Sequence, residues 1–185
     1  IVAKIEHKKL IGSFVKPSLD RIVPFSAERN LERFSTTSTK ATTSITGNWQ
    51  TVFSPNSVAD KYIAKGTFSQ NGNKVTGTFR TTTGDYRYLE GVLDGDNLKL
   101  STFDGAHAFL FDGEVKNDSI TSGMFYSGNH YSEPWVAVRN DNFELTDPNT
   151  LTYLKEGFDE IEFTFPDLSG KSVSLNDDRF KNKAV

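Results

Sequence analysis

The sequence predicts an all-β protein whose antiparallel strands follow one another as a meander and form a β-barrel or a strongly curved sandwich. The first observation is a short unit, an apolar residue or Thr followed by x-Gly-x-aromatic. The unit recurs at 10–14, 45–49, 75–79 and 121–125, with a relative at 64–68. Its side chains alternate with a period of two, which is typical of a strand. The second observation is a series of Asn-Gly and Asp-Gly pairs, which are strong hairpin signals, between alternating runs.

The glycine of each repeat indicates strong curvature. Alternation places it two residues from a large aromatic residue on the same face, as Gly77 is from Phe79. A glycine inside a strand is unfavourable unless another group needs the space. A sheet that bends tightly over a neighbouring ring creates that need. The repeats therefore favour a barrel or a coiled sheet over a flat one.

The turn signals divide the first 139 residues into eleven strands. Hairpin centres near 72, 95 and 118 are about 23 residues apart, which is the length of two strands and two turns. The predicted strands are 1–7, 9–15, 20–25, 45–53, 60–70, 74–82, 85–93, 97–103, 106–115, 119–127 and 133–139. Segment 35–44, rich in Ser and Thr without apolar periodicity, is predicted to be a loop and the most mobile part of the domain.

Composition argues against several functions. The chain of 185 residues carries 21 basic and 24 acidic side chains, a net charge of -3, with no block of like charge that would form a nucleic-acid or membrane-surface patch. It has no run of about 18 apolar residues that could span a membrane. The absence of cysteine suits an oxidising envelope compartment and equally a cytosolic domain.

Segment 83–91 combines charge with aromatic residues. In a strand, Asp85 and Arg87 share one face, and Tyr86 and Tyr88 share the other. One interpretation is a polar binding site in the mouth of a barrel, for which Asp85, Arg87 and Tyr88 are the candidate residues. The alternative is an exposed Asp–Arg pair across a tight turn, which would contribute little energy.

Segment 101–111 contains Asp104 and His107, which we expect to form a hairpin cap. The aspartate would accept hydrogen bonds from the turn, and the histidine would enter the next strand. An Asp–His orienting pair also suits catalysis, but it needs a nucleophile, and no serine lies in a strained elbow sequence. The other histidines, His7 and His130, lie far away in sequence and lack metal-ligand spacing, so neither a metal site nor a catalytic site is predicted.

The loop 127–135 contributes the last candidates, His130, Glu133 and Trp135. Amphipathic rings beside polar groups suit a sugar or a protein surface. Alternatively, Trp135 opens the final strand and fills the core. Glu133 with Glu90 as a glycosidase acid–base pair is a further alternative, which requires the two carboxylates to share one pocket.

The C-terminal segment carries a more specific pattern. The sequence runs Phe163-Thr-Phe-Pro-Asp-Leu-Ser-Gly-Lys-Ser-Val-Ser-Leu175 and later Phe180-Lys-Asn-Lys-Ala-Val185. It contains an aromatic-Pro-Asp-Leu start, a Gly-Lys turn, an alternating Val-x-Leu and a Phe-Lys-x-Lys lead-in. This pattern resembles the N-terminal edge of the thioredoxin-like domain in thiol-disulfide oxidoreductases of the TlpA and peroxiredoxin type. Segments 83–91 and 103–111 also look like parts of the β-rich modules that precede such domains.

The resemblance implies a domain organisation and a function. It implies a β-barrel or sandwich over 1–139, a linker over 140–157, and over 158–185 the edge of a thioredoxin-like domain at which the chain is truncated. The family's redox chemistry uses cysteines, which this sequence lacks. The expectation is a non-catalytic N-terminal module of a periplasmic or outer-envelope oxidoreductase in redox homeostasis, without a cofactor. Its expected partners are protein substrates or the thioredoxin-like domain itself.

Two alternatives come from other classes of protein. Ile45-Thr-Gly-Asn-Trp49, opening a Gly-rich meander, looks like the start of lipocalin and avidin-type barrels, whose mouths hold small ligands. This resemblance would imply a stand-alone ligand-binding barrel, with a cavity of roughly 300 to 1,000 Å³ lined by aromatic residues. The second alternative is a carbohydrate-binding protein that uses His130, Glu133 and Trp135.

Overall fold

A computed structural model describes residues 1–29, 32–37 and 39–183 and confirms the all-β class. The chain divides into two compact units, 1–145 and 146–185, which are described separately. The described residues of the first unit form eleven strands, the number predicted. They are β1 Val2–Glu6, β2 Lys9–Lys16, β3 Arg21–Glu28, β4 Gly47–Phe53, β5 Tyr62–Asn71, β6 Lys74–Arg80, β7 Leu89–Asp94, β8 Asn97–Phe103, β9 Ala108–Lys116, β10 Ser119–Ser127 and β11 Tyr131–Arg139. A 3-10 turn, Pro17–Leu19, joins β2 to β3.

The first three strands form a sheet of their own, in the order β1-β2-β3. The sequence placed these strands in one meander with the other eight, and the structure corrects this. Among the described residues β3 pairs with β2 alone, with Phe14 opposite Val23. Alternation then puts Leu10, Phe14 and Val23 on one face of this sheet. That face carries large apolar side chains although the sheet is not part of the barrel.

The other eight strands form a closed antiparallel barrel. Each strand from β4 to β11 pairs with the next, and β11 pairs with β4, where Trp135 lies opposite Phe53. Closure pairs both edges of the sheet, which removes the unpaired backbone groups of an open edge.

The barrel interior is filled by aromatic and aliphatic side chains, and the repeated glycines make room for them. A Cβ atom at Gly123 would lie 2.3 Å from the Trp135 ring, and one at Gly77 would lie 2.5 Å from the Phe68 ring. These contacts confirm the expectation that strand glycines let the sheet fold over a neighbouring ring. At the centre, the Phe79 ring lies 4.9 Å from Phe111 between ring centroids.

The barrel has two different ends. We call "turn end" the end with three two-residue turns, 72–73, 95–96 and 117–118, all at predicted hairpin centres. Their first residues, Gly72, Gly95 and Asn117, have positive φ. We call "loop end" the opposite end, where 54–61, 81–88, 104–107 and 128–130 connect the strands.

The loop predicted at 35–44 lacks regular structure in its described residues, as expected, but it is anchored. The backbone amides of Thr37 and Thr39 donate to the Asp94 carboxylate at 2.6 and 3.0 Å. The Gly95 amide in turn donates to the Thr39 carbonyl at 3.1 Å. These contacts connect the described residues of the segment to the turn end, and its predicted mobility stays a prediction.

The second unit contains one hairpin, β12 Thr164–Pro166 and β13 Ser172–Ser174, and two 3-10 turns, Pro148–Thr150 and Asp178–Phe180. The Asp167 carboxylate closes the hairpin turn by accepting the amides of Ser169 and Lys171 at 2.8 and 3.0 Å. The last two residues of the predicted edge, 184–185, lie outside the described residues. In the part of the chain that the structure describes, no helix has the length and apolar character needed to cross a membrane.

Candidate functional site

The barrel topology gathers the predicted site residues at the loop end. Asp85, Arg87 and Tyr88 lie in loop 81–88, and Asp104 and His107 lie in loop 104–107. His130 lies in 128–130, and Glu133 follows near the start of β11. Trp135 is two residues further into the barrel. Segments that are distant in sequence therefore meet at one end of the fold.

Glu133 forms the centre of a polar cluster inside the loop end. Its side chain is buried and points into the barrel. The Ser54 hydroxyl donates to Oε2 at 2.6 Å, and the Tyr62 hydroxyl donates to Oε1 at 2.7 Å. The Tyr86 hydroxyl lies 2.5 Å from that of Tyr62. Both carboxylate oxygens thus accept charge-assisted hydrogen bonds, which satisfies a buried acidic group.

The tyrosines of this cluster are held in their protonated forms. Burial raises the pKa of Tyr62, and its hydrogen bonds to Tyr86 and Glu133 raise it further. Burial also raises the pKa of Tyr86, and the nearby Glu133 charge adds to this, although the hydrogen bond that Tyr86 shares with Tyr62 opposes it. Loss of either proton would place a second negative charge beside the carboxylate.

Aromatic rings pack directly below the cluster. Phe53 stacks on Tyr62 with ring centroids 4.8 Å apart, and Tyr86 lies 5.2 Å from both Phe111 and Phe125. The cluster therefore closes the loop end over a filled interior. The volume in which a mouth ligand would sit is occupied by these rings.

Asp104 and His107 form the predicted hairpin cap. Asp104 Oδ1 accepts the amides of Ala106 and His107 at 2.8 and 2.7 Å, and Oδ2 lies 3.1 Å from His107 Nδ1. Burial favours a higher pKa for Asp104, but these hydrogen bonds outweigh it and lower its pKa to about 2. His107 also stacks on Phe109, with centroids 5.5 Å apart. The pair orients a turn and packs on the barrel.

The structure corrects the strand predicted from residue 85. β7 begins at Leu89, because Arg87 has a φ of 60°, a left-handed conformation that interrupts the alternation. Tyr86 consequently turns into the ring cluster, whereas Tyr88 is exposed. Asp85 accepts the Arg87 backbone amide at 2.8 Å. Among the described residues, the Asp85 carboxylate and the Arg87 guanidinium form no ion pair.

The last three candidates have different surroundings. Trp135 is fully buried and fills the core, as the alternative interpretation had it. His130 Nδ1 lies 3.0 Å from the Arg21 guanidinium on β3. Glu90 alternates outward on β7 while Glu133 points inward, so the two carboxylates lie on opposite faces of the barrel wall and share no pocket. His107 and His130 line a common groove beside the barrel.

The sequence interpretation missed three members of the buried cluster, Ser54, Tyr62 and Tyr86. Tyr62 lies opposite Phe53 in the β4–β5 register, and that pairing was the available signal. Its contact with Glu133, 71 residues later, exists only because β11 closes onto β4. Among the described residues, no three His, Cys, Asp or Glu side chains gather as metal ligands.

No protein-family model matches the chain, and a search of the curated proteins gives no match either.

Proposed function

We propose that this chain is a non-catalytic N-terminal module of an envelope thiol-disulfide oxidoreductase of the TlpA and peroxiredoxin type, in which the barrel binds and positions a protein substrate or partner. The observation that carries the proposal is the filled interior of the barrel. The buried carboxylate of Glu133 in this interior is satisfied by the hydroxyls of Ser54 and Tyr62. Polar groups that satisfy one another in this way stabilise a rigid scaffold. In the proposed protein, the thiol-disulfide reaction takes place in the thioredoxin-like domain.

The C-terminal hairpin supports the proposed connection to a thioredoxin-like domain. Phe165 pairs with Val173 across β12 and β13, and the Asp167 carboxylate orders the Gly-Lys turn between them. Phe165 and Pro166 of the Phe-Pro-Asp-Leu start thus lie on one strand of a hairpin, and Val173 of the Val-x-Leu lies on the other. This is the arrangement expected for the edge of a thioredoxin-like fold.

The first test is the coding sequence that follows residue 185. We expect an open frame in which a Cys-x-x-Cys motif or a peroxidatic cysteine follows shortly after the Phe-Lys-x-Lys segment. The full-length protein should then reduce insulin disulfides or a hydroperoxide, and cysteine-to-serine variants should lose that activity. A frame that stops, or continues without such a cysteine, would contradict the proposal.

A second test addresses the role of the barrel. In the full-length protein, deletion of 1–145 should lower the reduction rate of a protein disulfide while leaving that of a small aromatic disulfide unchanged. A small disulfide reaches the thiolate without a docking surface, so it controls for folding of the thioredoxin-like domain. If the deletion leaves the reduction rate of the protein disulfide unchanged as well, the barrel has no substrate-positioning role.

The two alternative functions have less support. A lipocalin-like ligand site needs space that the Phe53, Phe111 and Phe125 rings occupy. A sugar site at Glu133 and Trp135 needs accessible side chains, and both are buried. We therefore do not propose either one.

A further inference from the structure

An apolar groove of about 500 Å³ lies between the three-stranded sheet and the loop end of the barrel. Its volume is within the usual range for small-molecule sites. The sheet supplies Leu10, Phe14, Val23 and Phe25 to one wall. The opposite wall comes mostly from two loops of the barrel and includes Phe103, His107, Gly128 and His130. The groove is separate from the buried cluster around Glu133.

The strand register explains why this wall of the groove is apolar. Phe14 lies opposite Val23, and Leu10 and Phe25 alternate onto the same face. The Phe14 ring meets the Phe103 ring edge-on, with centroids 6.0 Å apart. This contact joins sheet and barrel on one side of the groove, and the remaining apolar surface lines the open space.

One end of the groove is cationic. Lys16 and Arg21 lie directly opposite each other on β2 and β3, on the same face as Phe14. Like charges at opposed positions of a strand pair are destabilising. Among the described residues, the groove lining contains no Asp or Glu, and neither cation forms an ion pair. An anion placed between the two charges would remove this repulsion.

His130 orients the guanidinium at this end. Its Nδ1 lies 3.0 Å from Arg21 Nη1. A guanidinium only donates, so Nδ1 is the acceptor of this hydrogen bond. The contact fixes the plane of Arg21 while other N–H groups of its planar fork remain available. That fork matches the geometry of a carboxylate.

We propose that this groove binds a single-chain fatty acid. The alkyl chain lies along Leu10, Phe14 and Val23, and the carboxylate lies between Lys16 and Arg21. Apolar walls that end in two cations complement a ligand with an apolar tail and one anionic head. This inference is independent of the proposed role in a thiol oxidoreductase, because it depends only on the first unit.

The test uses the 185-residue chain and dodecanoate below its micelle concentration. Calorimetry should show saturable binding of one molecule per chain, and NMR should show amide shifts concentrated at Phe14, Phe103 and Gly128. Shortening the ligand by two methylenes, to decanoate, should weaken binding about tenfold. Dodecyltrimethylammonium, with the same tail and a cationic head, should not compete with dodecanoate for the site.

Three variants locate the binding site. The double variant Lys16→Gln/Arg21→Gln should weaken dodecanoate binding at least about tenfold. Lys9→Gln is the matched control, because Lys9 is on the same strand as Lys16 but alternates to the opposite face from the groove. It should bind as the unmodified chain does. Val23→Trp fills the groove while keeping both cations, and it should abolish binding.

Several results would overturn the proposal. They are an absence of saturable binding, equal affinity in the double variant, undiminished binding by Val23→Trp, or amide shifts confined to the barrel interior. Circular dichroism of each variant checks folding. If the double variant fails to fold, the comparison of Val23→Trp with Lys9→Gln still decides the question.

Discussion

The two ends of the barrel are closed by different physical means. At the turn end, Thr37 and Thr39 contact the hairpin at Asp94 and Gly95, and the fully buried side chains of Ile45 and Trp49 complete the closure. The Trp49 indole donates to the Ile45 carbonyl at 2.8 Å. At the loop end, the hydroxyls of Tyr62 and Tyr86 and the Glu133 carboxylate close the barrel.

This difference separates two kinds of stability. Burial of an apolar ring contributes in proportion to the area removed from water and needs no particular protonation state. A buried carboxylate contributes only while its donors are present and protonated, because an unsatisfied polar group is costly. The turn end should therefore tolerate changes of pH, and the loop end should depend on matched partners.

The largest change in the free energy of unfolding is expected at the turn end, from the substitution Trp49→Ala. Trp49 is fully buried, and the Arg139 guanidinium covers its ring at 4.8 Å. Its truncation leaves a large cavity and should lower the free energy of unfolding by about 3–5 kcal/mol in urea denaturation. The control Tyr88→Ala removes an exposed ring and should change it by less than about 0.5 kcal/mol. Similar values for the two variants would contradict the packing described here.

The second largest change in the free energy of unfolding is expected at the loop end, from the substitution Glu133→Leu. The hydroxyls of Ser54 and Tyr62 would lose their acceptor, so we expect a loss of about 2–3 kcal/mol. Because the loss comes from orphaned donors, it should shrink when Tyr62→Phe is also present. A double-mutant cycle should give a coupling of about 0.5–3 kcal/mol. Strictly additive losses would show that the two side chains do not interact.

Much of the fold was predictable from local patterns. Hairpin centres at 72, 95 and 118 follow from Asn-Gly, Asp-Gly and Asn-Asp turns, and each strand glycine beside an aromatic residue indicated curvature. Local patterns also predicted the Asp104 cap, since its partners Ala106 and His107 are two and three residues away. These features depend on neighbours in sequence.

The features that the sequence did not predict depend on closure of the barrel and on the backbone angles of single residues. The contact of Tyr62 with Glu133 requires β11 to pair with β4, which no local pattern specifies. The positive φ of Arg87 moved Tyr86 into the core, and alternation alone predicts the opposite face. The separation of β1–β3 from the barrel also depends on long-range pairing, because β4 pairs with β11 and not with β3.

A pH titration should distinguish the two ends. The raised pKa values of Tyr62 and Tyr86 mean that their contribution is complete below the unfolded value of about 10 and falls as pH rises above it. The free energy of unfolding should therefore decline as the pH rises above about 10. Tyr62→Phe/Tyr86→Phe should flatten this decline, and Trp49→Ala should keep the slope of the unmodified chain. An unchanged slope in the double variant would contradict the assignment.

The smallest effect is expected from Asp94→Ala, which detaches the anchored segment at the turn end without opening the core. The Thr37 amide lowers the pKa of Asp94, with the Thr39 amide contributing, so these contacts hold above about pH 4 and weaken as the carboxylate is protonated at lower pH. In hydrogen exchange measured by NMR, the Thr37 and Thr39 amides should exchange at least about tenfold faster in the variant, while core amides keep their protection. Asp118→Ala is the matched control, since Asp118 lies in another turn of the same end and pairs with Arg139 at 2.7 Å. Faster exchange of Thr37 in the control, or unchanged exchange in Asp94→Ala, would mean that the segment is held by something other than this carboxylate.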